Sequence, residues 1–141
     1  MSSFLLDTNV LSETTQRSPN EKVVSWLRRV PRLLVPAVAV YEIALGVKQL
    51  PPGKKRMFLE AWLDELLGPN AEVISLDHAA ALASAEVAAL ARSQRRNIDH
   101  RDLMILGMAR ARGLTIATRN EAGFCGLLIP VYNPFDDRYH G

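Results

Sequence analysis

The sequence predicts a single α/β domain whose central parallel sheet of four to five strands is flanked by helices. Short apolar runs alternate with longer segments of helical periodicity, which is the pattern of strands joined by crossover helices. The first and fourth runs end directly in polar residues, as strands do where an open α/β sheet presents its ligand site. The chain has 141 residues, a length that suits one domain.

The predicted strands are short apolar runs bounded by proline, glycine or polar residues. The second run stops at Pro36, because proline has no N–H to donate to a neighbouring strand. Pro130 places the last run at an edge of the sheet, where a missing donor is tolerated. These runs predict strands over residues 4–6, 33–35, 73–76 and 114–117, with an edge strand over 127–131.

The predicted helices follow from capping signals and helical periodicity. Ser18, Pro19 and Glu21 form an N-terminal capping pattern, with the serine as N-cap and the proline in the first helical position. Asp77 and Asp99 are predicted to cap two further helices, which end near residues 93 and 113. The other helices are predicted over residues 9–14, 37–50 and 54–67, and the tail from about residue 134 is expected to be loose.

The composition excludes several classes of protein. Cys125 is the single cysteine, so an internal disulfide and a thiolate zinc site are both excluded, and a reducing compartment is expected. The amino-terminal residues lack the layout of a secretory signal. The longest apolar run, residues 33–41, is interrupted by Pro36 and is much shorter than the ~20 residues that span a membrane. We therefore expect a cytoplasmic protein without membrane contact.

The formal net charge of +2 is too small to indicate nucleic-acid binding by itself. The positive side chains are nevertheless grouped, at residues 54–56, 92–101 and 110–112. The acidic residues of interest are expected to lie apart from these groups. A negative pocket with a basic surround fits an enzyme that acts on a polyanion. Solvated helix faces explain the same grouping, and both interpretations remain open.

Three carboxylates and one amide occupy positions that the predicted fold brings to one edge of the sheet. Asp7 follows the first strand and Asn120 follows the fourth. Asp102 lies in the first turn of a helix, and Glu42 lies on the apolar face of another. Ordinary explanations exist for two of them, since the helix dipole favours Asp102 whatever its function and Glu42 can reach solvent. The alternative is that all four converge on a ligand.

Carboxylates within about 4 Å of one another repel by roughly 4 kcal/mol per pair at an effective dielectric constant near 20, so a cation is expected among them. Ligands that are all oxygen favour Mg²⁺ or Mn²⁺ over softer metals. These ions suit the hydrolysis of a phosphodiester by a metal-activated water. The sequence contains no nucleophile elbow, P-loop or dinucleotide fingerprint, so the corresponding enzyme classes lack their marker.

Four segments resemble the PIN-domain ribonucleases, specifically the VapC-type toxins of the FitB-like group. They are Leu-Leu-Asp-Thr-Asn-Val-Leu-Ser-Glu at 5–13, Val-Tyr-Glu-Ile-Ala-Leu-Gly at 40–46, Asp-Leu-Met-Ile at 102–105 and Gly-Leu-Thr-Ile-Ala-Thr-Arg-Asn at 113–120. The ending Ile-Pro-Val-Tyr-Asn-Pro at 129–134 is also similar. Order and spacing agree over nearly the whole chain, and the four motifs together are specific where each alone is weak.

The resemblance implies a single PIN-like domain over residues 1–141 and a Mg²⁺- or Mn²⁺-dependent endoribonuclease. It implies the toxin of a toxin–antitoxin pair, a homodimer that is inhibited in a larger assembly by its cognate antitoxin. The substrate would be RNA, with transfer RNA a candidate. The residues that match the family's metal-binding core are Asp7, Glu42 and Asp102, and Asn120 completes the catalytic set. The polar residues that match its supporting positions are Thr8, Asn9 and Thr118.

The sequence departs from the family after the fourth strand, where a further aspartate is common and this chain has Asn120 and Gly123. Asn120 offers a carbonyl oxygen without charge, and Glu121 compensates only if its side chain turns inward. Three functions therefore remain open. The first is an active endoribonuclease, and the second is a catalytically impaired module that acts by binding an antitoxin and, through it, operator DNA. The third is a DNA-directed or phosphatase activity from the same metal site.

Overall fold

The computed structural model describes residues 3–141. The strands are β1 Phe4–Leu6, β2 Leu33–Pro36, β3 Ala71–Ile74, β4 Thr115–Ala117, β5 Val131–Asn133 and β6 Arg138–His140. They form one sheet in the order β3-β2-β1-β4-β5-β6, in which all neighbouring pairs except the last are parallel. The predicted α/β class with a central sheet flanked by helices is confirmed. The sheet has six strands and not four to five, since β6 adds antiparallel to β5 and takes the edge predicted for the last strand, and β3 begins two residues before the predicted 73–76.

Seven helices connect and cover the strands within residues 3–141. They are α1 Thr8–Glu13, α2 Glu21–Arg29, α3 Ala37–Lys48, α4 Lys54–Leu66, α5 His78–Ser93, α6 His100–Arg112 and α7 Glu121–Phe124. Asp77 and Asp99 cap α5 and α6 as predicted, each accepting from a backbone N–H of the first turn. Gly113 ends α6 in the left-handed conformation, with φ 64°, which glycine adopts at no steric cost.

One predicted cap is wrong. The N-cap of α2 is Asn20 and not Ser18, because the Asn20 side chain accepts hydrogen bonds from the backbone N–H groups of Lys22 and Val23 at 2.9 and 3.3 Å. Its own backbone N–H donates to the Glu13 carboxylate at 2.8 Å. Asparagine and serine are about equally good caps, so this contact from α1 favours the later start.

The carboxyl-terminal segment also differs from expectation. The predicted edge strand over 127–131 is displaced to Val131–Asn133, because Leu128 has a φ of 74° that no strand accommodates. The tail from about residue 134 is not loose throughout, since residues 138–140 form β6 antiparallel to β5. Arg138 and His140 attach β6 to the Glu121 carboxylate at 2.9 and 2.8 Å, which explains why a short polar strand is held.

The core has two halves, one on each face of the sheet. Leu5 and Ile116 face the half formed with α5 and α6, whereas their neighbours Leu6 and Ala117 face the half formed with α1, α2 and α3. Alternate residues of a strand point to opposite faces, so two adjacent apolar residues at each strand serve both halves. Over residues 3–141 no helix is long and apolar enough to cross a membrane.

Candidate active site

Asp7 is the first residue after β1 and lies at the carboxyl edge of the sheet, only 4% exposed. Its Oδ1 accepts the backbone N–H of Thr8 at 2.8 Å, and its Oδ2 accepts the Thr118 hydroxyl at 2.8 Å and the Asn9 amide at 3.2 Å. Burial raises the pKa of Asp7, and the charge of Glu42 adds to the rise, while these hydrogen bonds oppose it. Three donors thus hold a buried carboxylate in one orientation.

Thr118 joins the ends of the two central strands. It is fully buried directly after β4, and while its hydroxyl donates to Asp7, the same oxygen accepts the backbone N–H of Asn120 at 3.0 Å and the Asn9 amide at 3.4 Å. The side-chain Oδ1 of Asn9 accepts the backbone N–H of Arg119 at 3.1 Å. The supporting positions suggested by the sequence therefore form one connected network around Asp7.

Glu42 lies on α3, and its side chain contacts Thr8, the residue that follows Asp7. Its Oε1 accepts the Thr8 hydroxyl at 3.2 Å, and its Oε2 lies 3.7 Å from Nη1 of Arg101 on α6. The Glu42 side chain is 22% exposed, so it is neither fully buried nor extended into solvent. The expectation that the basic groups stand apart from the carboxylates is wrong at Arg101.

Asp102 lies in the first turn of α6, partly buried. Burial raises its pKa to about 6, and the charges of Asp7, Glu42 and Asp99 add to the effect, while Arg101 opposes it. Like charges raise a carboxyl pKa only when they are close. The charges of the three predicted acidic residues therefore act on one another, although Asp7 follows β1, Glu42 lies on α3 and Asp102 lies on α6.

Asn120 lies beside this network, but its side chain is also a helix cap. Its Oδ1 accepts the backbone N–H of Gly123 at 3.2 Å at the start of α7. A Cβ on Gly123 would lie within 2.5 Å of the Asn120 amide nitrogen, so glycine at 123 permits this cap. Glu121 turns away from the carboxylates, because its side chain binds His140 at 2.8 Å and Arg138 at 2.9 Å. It does not replace the missing aspartate.

The donor set of Asp7, Glu42 and Asp102 fits a hard divalent cation by its chemistry. All of its donors are carboxylate oxygens. Burial is the main cause of the raised pKa values of Asp7 and Asp102, neighbouring carboxylates add to the rise, and a bound cation would oppose both effects. Among the side chains described, no three Asp, Glu, His or Cys residues are arranged closely enough to hold a metal ion as they stand. Binding of one ion by all three carboxylates would therefore require these side chains to move closer together.

Comparison with known proteins gives the family of the chain. The sequence profile described as PIN domain matches residues 4–125, which include every element from β1 to α7. The chain belongs to the PIN-domain family. The matched residues include Asp7, Glu42 and Asp102, and the predicted resemblance is confirmed.

Individual relatives of this PIN domain are similar over almost their whole length. Toxin FitB of Neisseria gonorrhoeae is 34% identical over 95% of this chain and 99% of its own. VapC ribonuclease Y4jK of Sinorhizobium fredii is 30% identical over 94% of this chain and 98% of its own. The crystal structure of FitAcB from Neisseria gonorrhoeae superposes with a TM-score of 0.86 at 33% identity, covering 94% of this chain and 99% of that one.

Sequence reasoning missed one charged residue of this PIN domain site. Arg101 was assigned to a surface group of arginines, yet its guanidinium faces Glu42 across the gap between α6 and α3. The signal was its position between Asp99 and Asp102 in the first turn of a helix, where a long side chain can fold back over the helix start.

Proposed function

We propose that this protein is a Mg²⁺- or Mn²⁺-dependent endoribonuclease and the toxin of a toxin–antitoxin pair. The observation that supports the proposal is the buried Asp7 carboxylate at the carboxyl edge of the sheet, oriented by three hydrogen bonds. The charges of Glu42 and Asp102 act in the same region. The names of the relatives, a toxin and a VapC ribonuclease, support the reaction and the biological role. The place of action is then the cytoplasm, where the RNA is.

The chain's own residues would have separate tasks in this reaction. Asp7, Glu42 and Asp102 would hold the ion, and Thr118, Asn9 and the backbone of Thr8 would keep the Asp7 carboxylate in a single orientation. When bound, the ion supplies activation of a water molecule and neutralisation of the charge that develops on the phosphate. Asn120 would border the site through its contact with Thr118, contributing an uncharged oxygen.

The proposed partners are an antitoxin and a second copy of the chain. The exposed apolar side chains on α3 and α4 support a protein-covered surface, since Tyr41, Met57 and Phe58 are 60%, 69% and 59% exposed. Large exposed apolar side chains in one region mark interaction sites more often than bare surface. The antitoxin would inhibit the enzyme in a larger assembly with the dimer.

The test of this proposal is RNA cleavage by the purified protein. A labelled RNA substrate, such as bulk transfer RNA, should be cut in Mn²⁺ or Mg²⁺ and left intact in EDTA. Asp7→Asn should abolish cleavage, because it removes the central carboxylate without changing its shape. Glu72→Gln is the matched control, since it removes an acid paired with Arg32 near β2 and β3, outside the carboxylate network. Unchanged cleavage by the Asp7 variant would refute the proposal.

A binding-only function is the second candidate, and one observation favours it. The Asn120 side chain supplies no charge and already caps α7, so the site has fewer acidic groups than the family commonly uses. A module of this kind would bind its antitoxin, and through it operator DNA, yet cut no RNA with any divalent metal. The substitution Asn120→Asp distinguishes these two functions, because it should raise the RNA cleavage of a weak enzyme and leave a binding module inactive.

A further inference from the structure

The Arg101 side chain bridges an exposed capping residue and the carboxylate site. Its Nε lies 3.2 Å from Oδ1 of Asp99, and its Nη1 lies 3.7 Å from Oε2 of Glu42. The backbone N–H of Arg101 also donates to Asp99 Oδ1, at 2.8 Å. Asp99 therefore holds the guanidinium through its Nε, next to Glu42, and the Arg101 side chain is 48% exposed.

Arg101 differs from the other basic residues of 3–141 because it forms an ion pair with a carboxylate of the candidate site. Among the ion pairs of residues 3–141, its contact with Glu42 is the only one that involves Asp7, Glu42 or Asp102. Its charge also lowers the pKa of Asp102, against the larger effects that raise it. The helix start does not need this contact, because Asp99 caps α6 through a backbone N–H.

We propose that Arg101 competes with the metal ion for Glu42 and, once displaced, binds a phosphate of the RNA beside the site. The inference rests on the proposed function. In the structure Oε2 of Glu42 lies 3.7 Å from Nη1 of Arg101, so a cation bound to the Glu42 carboxylate would bring two positive charges close together, and they would repel. The displaced guanidinium stays tethered by Asp99 through its Nε, so it remains near the carboxylates.

A guanidinium held at that place is suited to a phosphodiester. Its planar set of N–H donors matches two oxygens of a phosphate, and it cannot lose its charge at physiological pH. It is also open to solvent, since the Arg101 side chain is 48% exposed, so a phosphate can approach the guanidinium. The proposal therefore makes Arg101 a substrate-binding residue whose resting partner is a member of the metal site.

The proposal predicts changes of opposite sign when the charge is removed. In Arg101→Gln the ion no longer competes with a cation, so the Kd for Mn²⁺ measured by calorimetry should fall about three- to tenfold. The KM for a fluorescently labelled single-stranded RNA at saturating Mn²⁺ should rise several-fold, with kcat changed much less. The slope of log(kcat/KM) against log salt should become shallower by about 0.7, the loss of one phosphate contact to a single strand.

Two further variants complete the experiment. Arg101→Lys keeps the charge and loses the planar donors, so its Mn²⁺ affinity should stay near that of the wild type while its KM for RNA rises. Arg32→Gln is the matched control, because Arg32 forms an exposed pair with Glu72 at 3.2 Å and lies before β2, at the opposite edge of the sheet. Neither measurement should change in the control.

The Mn²⁺ affinity tests the competition for Glu42, and the KM and salt slope test the phosphate contact. If Arg101→Gln binds Mn²⁺ no more tightly than Arg32→Gln, the competition is refuted, and weaker Mn²⁺ binding would mean that Arg101 supports the carboxylates structurally. If its KM and salt slope are unchanged, the phosphate contact is refuted. Wild-type protein that binds no Mn²⁺ would refute the proposed function itself, whereas normal wild-type binding and cleavage with an unaffected Arg101→Gln variant would refute the inference alone.

Discussion

Asp102→Asn should stabilise the fold while it removes activity. The pKa of the Asp102 carboxyl rises from 3.8 to about 6, so the folded protein binds that proton more tightly than the unfolded chain does. The free energy of unfolding therefore falls as the pH increases from about 4 to 6, and it stays lower above pH 6. Asparagine has the same shape and no charge, and therefore avoids the loss.

The magnitude follows from the same shift. A rise from 3.8 to about 6 corresponds to about 3 kcal/mol at neutral pH. Because Asp102 is only partly buried, solvent screening reduces this to about 1.5 kcal/mol. The variant also loses the favourable interaction of a first-turn carboxylate with the helix dipole, about 0.5 kcal/mol. A net stabilisation of about 1 kcal/mol remains, which raises Tm by about 2 to 5 °C.

Thermal and urea unfolding in EDTA at pH 4 and pH 7.5 measure the effect. The variant and the wild type should be nearly equal at pH 4, where the Asp102 carboxyl is protonated, and should differ at pH 7.5 in favour of the variant. Glu72→Gln, which removes a half-exposed surface charge, should change Tm little at either pH. A variant that is equal to or less stable than the wild type at pH 7.5 would refute the electrostatic description of the site.

Two further substitutions test the contacts that hold the site and the core. Thr118→Val should lower the free energy of unfolding by about 1 to 3 kcal/mol and reduce RNA cleavage, since it removes the hydroxyl that donates to Asp7 at 2.8 Å. Thr118→Ser keeps this hydroxyl donor and should retain RNA cleavage. Gly107→Ala should lower the midpoint of urea unfolding strongly, because the new Cβ would lie 2.6 Å from the backbone nitrogen of Ser84. Gly46→Ala is the control, since its Cβ would meet nothing within 4 Å. Equal midpoints for the two glycine variants would contradict the close packing of α5 and α6.

The strands β1, β2 and β4 and the position of Asp7 were predictable because they depend on local patterns. Each of these strands is a short apolar run, and Asp7 follows β1, so order along the chain was enough to place Asp7 at the carboxyl edge of the sheet. Glu42 was predictable for a different reason, since a carboxylate on an apolar helix face needs an explanation. The resemblance to the PIN-domain family then joined these separate positions into one set.

The parts that could not be predicted depend on contacts between residues distant in sequence. Asn20 caps α2 with the help of Glu13 on another helix, and β6 is held by the contacts of Arg138 and His140 with Glu121. The pairing of Arg101 with Glu42 crosses from α6 to α3. No local rule of propensity or periodicity contains such contacts, so the structure differs from expectation at these three places.

The most direct test of the account is the position of a bound manganese ion. Crystals grown with Mn²⁺ and measured at its absorption edge should show an anomalous peak bounded by carboxylate oxygens of Asp7, Glu42 and Asp102, with the Glu42 side chain moved away from Arg101. The same crystals of Asp7→Asn should lack the peak. A peak at another place, or one that survives in the Asp7 variant, would contradict the claim that these three carboxylates form the metal site.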